Sequence, residues 1–114
     1  MVTSIVDLHK VNHIRPEYDV YIGRAVIYTE FTKNSTWYNP FYASDYDPAH
    51  WEQCITDYDQ YIDDQIMADP VKFDLNQLVN MRLGCWCITT TSYQPPYRCH
   101  GQIILRKMHE RGLI

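Results

Sequence analysis

The chain has 114 residues, 46% of them hydrophobic, which is enough for one domain with a core of its own. Fourteen acidic and ten basic residues give a net charge of −4, and this balance argues against binding duplex nucleic acid through a basic face. No stretch approaches the roughly 18 apolar residues of a membrane span, and the N-terminus lacks the pattern of a secretory signal. We therefore expect a cytoplasmic protein without a membrane partner, whose four cysteines are reduced.

Short strands are predicted in the first third of the chain. Apolar residues in "SIVDL" predict a strand over Ser4 to Leu8, and "DVYIGR", residues 19–24, predicts a buried strand that ends at a turn. The stretch "AVIYTEF", residues 25–31, suits a further strand or an extended return. Residues 32–48 are predicted to form a loop with a turn at Asn39-Pro40.

The clearest helix follows this loop. Asp47 can cap it, Pro48 suits the first helical position, and apolar residues recur at spacings of three and four up to Ile66. The stretch "FDLNQLVNM" predicts a short helix capped by Asp74.

A strand and a helix complete the predicted order. The stretch "RLGCWCITTT" predicts a strand, and a last helix is predicted from His100 to Arg111, ended by Gly112. The predicted fold class is α/β: one domain over residues 1–114, with a small sheet and two main helices, as a compact Rossmann-like or flavodoxin-like variant.

Three of the four cysteines lie in "GCWCITTTSYQPPYRCHG", residues 84–101. In a strand, Cys85 and Cys87 share one face with Trp86 on the other. With Cys99 and His100 they supply the four ligands of tetrahedral zinc, although C-x-C-x11-C-H differs from common zinc knuckles. Cys85 and Cys87 also suit a second role, as small buried apolar residues.

Cys99 is also a candidate nucleophile. It precedes the predicted last helix, where unpaired N–H groups and the helix dipole lower the pKa of a thiol, and His100 lies beside it. The sequence thus predicts Cys99 and His100 as candidate catalytic residues.

An anion site is predicted between the end of the second strand and the start of the last helix. Ligands of open α/β sheets bind beyond the carboxyl ends of strands, where Arg24 can clamp an anion and helix N–H groups can receive it. In this hypothesis Trp37 stacks on a base and Asn39 contacts a polar edge. An ordinary turn, a surface ion pair and a loop held by aromatic residues explain the same residues. The predicted ligand-binding residues are Gly23, Arg24, Trp37, Asn39, Gly101 and Gln102.

These segments together resemble the small bacterial and phage proteins of domain-of-unknown-function family 4326. The matching segments are "VYIGR", the pattern S-x-W-x-N-P-F over residues 35–41, C-W-C over 85–87 and C-H-G over 99–101. Three features depart from the family pattern: Tyr38 replaces a glycine, Asn80-Met81 replaces Gly-Lys, and the segment between the two cysteine motifs is longer. The resemblance implies a phage or bacterial setting and a shared ligand site, but no settled activity.

Two hypotheses follow from the sequence. In the first, the protein binds an anionic, nucleotide-like ligand and either sequesters or processes it. In the second, Cys85, Cys87, Cys99 and His100 hold zinc in a noncatalytic module that binds a host protein. Both hypotheses place the protein in the cytoplasm, that of the host if a phage encodes it.

Overall fold

Three short parallel strands form the sheet of the protein, in a computed structural model that describes residues 2–41 and 48–114. The strands are β1 (Ser4–Asp7), β2 (Val20–Tyr21) and β3 (Arg82–Cys85), arranged in the order β1-β3-β2. β3 is central and pairs in parallel with both neighbours, so that Asp7 lies opposite Cys85 and Tyr21 opposite Gly84. The carboxyl ends of all three strands therefore meet at one edge of the sheet.

The two main helices are α1 (Pro48–Ala68) and α2 (His100–Glu110), and a short 3₁₀ helix covers Leu75–Leu78. These elements and the parallel sheet confirm the predicted α/β class. Asp74 caps the 3₁₀ helix as predicted, and its carboxylate accepts a hydrogen bond from the backbone N–H of Asn76. The predicted cap at Asp47 lies outside the described residues.

Helix α2 is the most deeply buried element. Eight of its eleven residues are buried, including the polar Gln102 and Lys107, because the helix lies between the sheet and α1. Its first turn contacts the sheet closely: a Cβ atom on Gly101 would lie 2.9 Å from the Cδ1 atoms of Ile5 and Ile22. The core brings both helices and all three strands together, with Ile5, Ile22, Ile55, Tyr58, Ile62, Leu83, Ile103 and Ile104 among its buried members.

Two strand predictions differ from the structure. Residues 25–31 form turns, closed by a hydrogen bond from the N–H of Val26 to the carbonyl of Phe31, and are neither strand nor extended return. The strand predicted from Arg82 to the threonines ends at Cys85, where the chain bends. A strand needs a partner to continue, and β2 pairs with β3 over two residues only.

The helices are also too polar to suggest a membrane span. In residues 2–41 and 48–114, neither helix combines the length and the apolar character needed to cross a bilayer.

Candidate functional site

Three thiols meet where β3 ends and α2 begins. The Sγ atoms of Cys85, Cys87 and Cys99 all lie within 4.8 Å of one another, and those of Cys85 and Cys99 are 3.3 Å apart. Cys85 and Cys99 are 1% exposed, whereas Cys87 is exposed. We refer to these three residues as the thiol cluster. It lies at the carboxyl edge of a parallel sheet, where ligands of α/β proteins commonly bind.

The bend after β3 creates the cluster. Cys85 ends β3, and Trp86 turns toward β2, where its indole N–H donates to the hydroxyl of Tyr21 at 2.7 Å. The prediction that Cys85 and Cys87 share a strand face is therefore wrong, because Cys87 lies beyond the strand. The bend, and not strand alternation, places the Cys87 thiol near the other two.

Cys99 joins the cluster as the N-cap residue of α2. Its backbone is extended, and its Sγ accepts a hydrogen bond from the N–H of Gly101 at 3.4 Å. The close contact of Gly101 with Ile5 and Ile22 sets this first turn against the sheet, next to the end of β3. The motif C-H-G thus supplies the sulfur of Cys99, a candidate metal ligand. It also supplies Gly101, whose small size lets the first turn of α2 lie close to the end of β3.

His100 lies beside the cluster in a defined tautomer. Its Nε2 is 2.7 Å from the carbonyl oxygen of Ile22, and because a carbonyl only accepts, Nε2 carries the hydrogen. Burial lowers the pKa of His100 and favours the neutral ring, so Nδ1 bears a lone pair, 4.0 Å from the Sγ of Cys99. Nδ1 is not within the 4.8 Å group formed by the three sulfur atoms. The structure thus brings three of the four predicted zinc ligands together and places the fourth, His100, beside these three sulfur atoms.

The three thiols titrate together. Hydrogen bonds from Cys87 and Cys99 lower the pKa of Cys85, and the same contacts raise the pKa values of Cys87 and Cys99. The cluster therefore favours one thiolate held by two thiol donors. For Cys99 this is opposite to the lowered pKa predicted from its place at a helix start, and its sulfur is buried. A catalytic role for Cys99 and His100 stays a prediction.

Two of the N–H groups predicted to hold an anion are used within the protein: that of Gly101 donates to the Sγ of Cys99, and that of Gln102 donates to the carbonyl of Cys99 at 3.0 Å. The side-chain Oε1 of Gln102 in turn accepts from the N–H groups of Arg98 and Cys99. This capping box satisfies the start of α2, and both Gly101 and Gln102 are buried. Gly101 and Gln102 thus have structural roles at the start of α2, and an anion-binding role for them stays a prediction.

Arg24 holds the loop that was predicted to cover the ligand. Its Nε donates to the carbonyl of Asn39 at 2.8 Å, and its Nη2 donates to the carbonyl of Phe41. The amide of Asn39 is engaged as well, with Oδ1 accepting from the N–H of Phe41 at 2.9 Å. These contacts give Arg24 and the Asn39 amide a structural role where the sequence predicted ligand contacts.

Trp37 and Gly23 also take structural places. Trp37 is 3% exposed and packs edge to face on Phe73 in the core, and its stacking on a ligand stays a prediction. Gly23 is buried, and a Cβ atom there would lie 2.5 Å from the hydroxyl oxygen of Tyr21. Gly23 thus permits the close approach of Tyr21, not of a ligand.

An open cavity of about 680 Å³ adjoins the thiol cluster. Of the predicted site residues, Asn39, Cys87, Cys99 and His100 line it, whereas Gly23, Arg24, Trp37, Gly101 and Gln102 do not. Sequence reasoning missed Trp51 and Arg98, which also line the cavity. Arg98 directly precedes C-H-G, and this adjacency was the one available signal.

The donor set of the cluster fits a soft metal ion. Thiolates prefer zinc, copper(I) and iron–sulfur clusters, and three converging free cysteines offer such ligands. The cluster has the chemistry for zinc, with Cys85 already biased toward the thiolate that binding requires.

The comparisons with known proteins identify one family. Neither the search of curated proteins nor the search of solved structures found a match to the chain. The family model described as "Domain of unknown function (DUF4326)" matches residues 6–110, which include the whole thiol cluster. The resemblance seen in the motifs is thereby confirmed, and the chain belongs to domain-of-unknown-function family 4326.

Proposed function

We propose that the protein binds one zinc ion through the thiolates of Cys85, Cys87 and Cys99. The convergence of the three sulfur atoms carries this proposal. Ligand sulfurs at about 2.3 Å from a tetrahedral zinc are about 3.8 Å apart. The separations of the cluster, 3.3 Å between Cys85 and Cys99 and at most 4.8 Å for any pair, bracket that value.

The fourth position of this zinc faces the cavity. Cys87 and Cys99 line the cavity, so an ion among the three sulfurs has an accessible side there. Three protein ligands with an open fourth position are typical of zinc sites that receive water or a ligand. His100 is the protein's own candidate for that position, because the lone pair of its Nδ1 lies 4.0 Å from the Sγ of Cys99 and its Nε2–H is held by the carbonyl of Ile22.

Elemental analysis of the purified chain tests the proposal. We expect about one zinc per chain, since three thiolates bind zinc strongly near neutral pH. Reconstitution with Co²⁺ should give the intense near-ultraviolet absorption of cobalt–thiolate bonds.

Cys87→Ser and Cys54→Ser form a matched pair of variants. Cys87 is exposed, so its replacement should remove the metal and leave the chain folded. Cys54 is half-buried and lies outside the thiol cluster, so its replacement should leave the zinc content unchanged. A folded wild-type chain that takes up no zinc after reduction and reconstitution, or equal zinc in both variants, would contradict the proposal.

The setting remains a prediction from the family resemblance. A phage or bacterial host, a host protein partner and the cytoplasm all stay predictions. The zinc centre we propose is compatible with an interaction module and with a catalyst, because an open fourth position serves either.

A further inference from the structure

We propose that the cavity beside the thiol cluster binds a small ligand that joins one anionic group to a flat ring, as a nucleoside monophosphate does. This site goes beyond the zinc proposal and does not depend on it. It also differs from the anion site predicted from the sequence, because its cation is Arg98 and its ring contact is Trp51. A cavity of about 680 Å³ is within the range of small-molecule sites in proteins.

Arg98 supplies the cation. Among residues 2–41 and 48–114, its guanidinium makes no ion pair or hydrogen bond, although its backbone N–H is held by Gln102. The other arginines near the site are engaged: Arg24 binds loop carbonyls, and Arg106 pairs with Asp59 at 2.6 Å. An unengaged guanidinium on a fixed backbone is suited to bidentate contact with a phosphate or carboxylate.

Aromatic side chains supply the ring contact. Trp51 and Trp86 both line the cavity, and Trp51 is 49% exposed. Tyr97 lines it as well, so three aromatic residues line one cavity. Flat rings stack on such side chains, as bases do in single-stranded nucleic acid complexes.

Glu52 limits the charge of the ligand. It lines both this cavity and a neighbouring one of about 510 Å³, whereas Arg98 lines only the first. A second anionic group near Glu52 would be repelled, but a hydroxyl there can donate to the carboxylate. One anionic group, a ring and hydroxyls together describe a nucleoside monophosphate.

The ligand would lie next to the thiol cluster. Cys87, Cys99 and His100 line the same cavity as Arg98. A ligand in the cavity is therefore adjacent to the open side of a zinc bound by the cluster, although Arg98 and Trp51 hold it without the metal.

Titration with adenosine 5′-monophosphate tests the site, with adenosine and inorganic phosphate as its separate halves. The chain has three tryptophans, of which Trp37 is buried, so quenching by the nucleotide reports on Trp51 and Trp86. We expect saturable quenching and a rise in melting temperature with the monophosphate, and weaker binding of either half. A folded chain that shows no saturable response to millimolar monophosphate would overturn the proposal.

Arg98→Ala and Arg111→Ala are matched charge variants. Both arginines are exposed. Arg111 follows the last residue of α2 and lies about 18 Å from Cys99 along the helix axis. Arg98→Ala should weaken monophosphate binding about tenfold or more, with adenosine binding unchanged, and Arg111→Ala should leave both within about twofold. Equal losses in the two variants would indicate nonspecific charge and overturn the site.

Zinc content measured in the same samples keeps the two proposals separate. Arg98→Ala should retain its zinc, because Arg98 is not a ligand. Wild-type chain stripped of metal with a chelator should still bind the monophosphate with a dependence on Arg98. If the metal-free chain loses monophosphate binding while remaining folded, the metal and not Arg98 holds the anion, and this inference is wrong.

Discussion

Asn80 has a left-handed backbone, with φ of 62°, two residues before the central strand begins at Arg82. This conformation brings its N–H to the hydroxyl oxygen of Thr3 at 2.9 Å, while that hydroxyl donates to the carbonyl of Leu78. The resemblance to the family implies a glycine at this position, where the chain has Asn80. Asparagine is among the few residues with a side chain that tolerate this region, which explains the substitution physically.

Replacing Asn80 tests this backbone requirement. Asn80→Ala should destabilise the protein by about 1 kcal/mol, because alanine adopts the left-handed region at a cost of about that size. Asn80→Gly should keep or slightly raise stability, since glycine adopts it freely. Urea unfolding of the two variants measures the difference, and equal destabilisation by both would show that the asparagine side chain, not the backbone conformation, is what matters.

Tyr38, the other glycine replacement, is not under such strain. Within the described part of the chain, the residues other than glycine with positive φ are Asn12, His13, Tyr28 and Asn80. Tyr38 therefore has ordinary backbone geometry, and a tyrosine fits there without distorting the loop.

At the scale of elements, one buried lysine joins the two helices. The side chain of Lys107 on α2 is 4% exposed, and its Nζ binds the carboxylates of Asp59 and Asp63 on α1. Asp59 is more open, with 32% of its side chain exposed, and it also pairs with Arg106. Removing the carboxylate of Asp59 would leave the charge of Lys107 buried, whereas removing Lys107 would leave the charge of Asp59 partly exposed to solvent.

Neutralising the two ends of this contact should have unequal effects. Asp59→Asn should destabilise the protein by about 2 kcal/mol, because Lys107 keeps only the half-exposed Asp63. Lys107→Met should cost about 1 kcal/mol or less, since methionine fills the space and Asp59 keeps water and Arg106. Free energies of unfolding in urea give the comparison. A larger loss for Lys107→Met would mean that the lysine charge itself stabilises the pair of helices.

Elements whose signals are local agree with the sequence. Pro48 begins α1, Asp74 caps the 3₁₀ helix, and Gly112 follows α2 with φ of 72°, because each depends on neighbours within a few residues. Strand lengths were predicted less well, since β2 pairs over two residues and its partner is more than 60 positions away in the chain. A strand signal gives the preference of a segment but not the length of its partner.

The sequence identified members of the candidate site by their residue type, but it did not predict which groups their side chains contact. The cysteines came from two short motifs and do meet. Arg24 and Trp37 were expected at a ligand, yet a guanidinium binds carbonyls as well as phosphates, and an indole suits a core as well as a base. Trp51 and Arg98 face the cavity through long-range packing, which no local pattern encodes.

At the scale of the whole molecule, aspartate carboxylates form contacts between distant segments and cap one of the helices. Asp19 precedes β2 and binds Arg82, the first residue of β3, while Asp59 joins the helices and Asp74 caps the 3₁₀ helix. Hydrogen bonds from Arg82 lower the pKa of Asp19 to about 2. Burial by itself would raise the pKa of Asp59, but its contacts with Arg106 and Lys107 outweigh burial and lower that pKa. Hydrogen bonds from Asn76 lower the pKa of Asp74. The ionised form of each group is therefore favoured by the fold.

Acid should weaken the fold through these groups. A carboxyl whose pKa is lower in the folded than in the unfolded state adds stability at pH above its unfolded value, 3.8 for Asp19, and loses it as the pH falls toward the folded value, about 2. In this window the unfolded chain binds more protons, so the free energy of unfolding decreases on acidification. Asp19→Asn should remove part of that decrease and be less stable than wild type near neutral pH. Asp64→Asn, on the exposed side of α1, should keep the wild-type slope. Urea unfolding at a series of pH values gives both slopes, and an unchanged slope in Asp19→Asn would show that the Asp19–Arg82 contact contributes nothing to acid sensitivity.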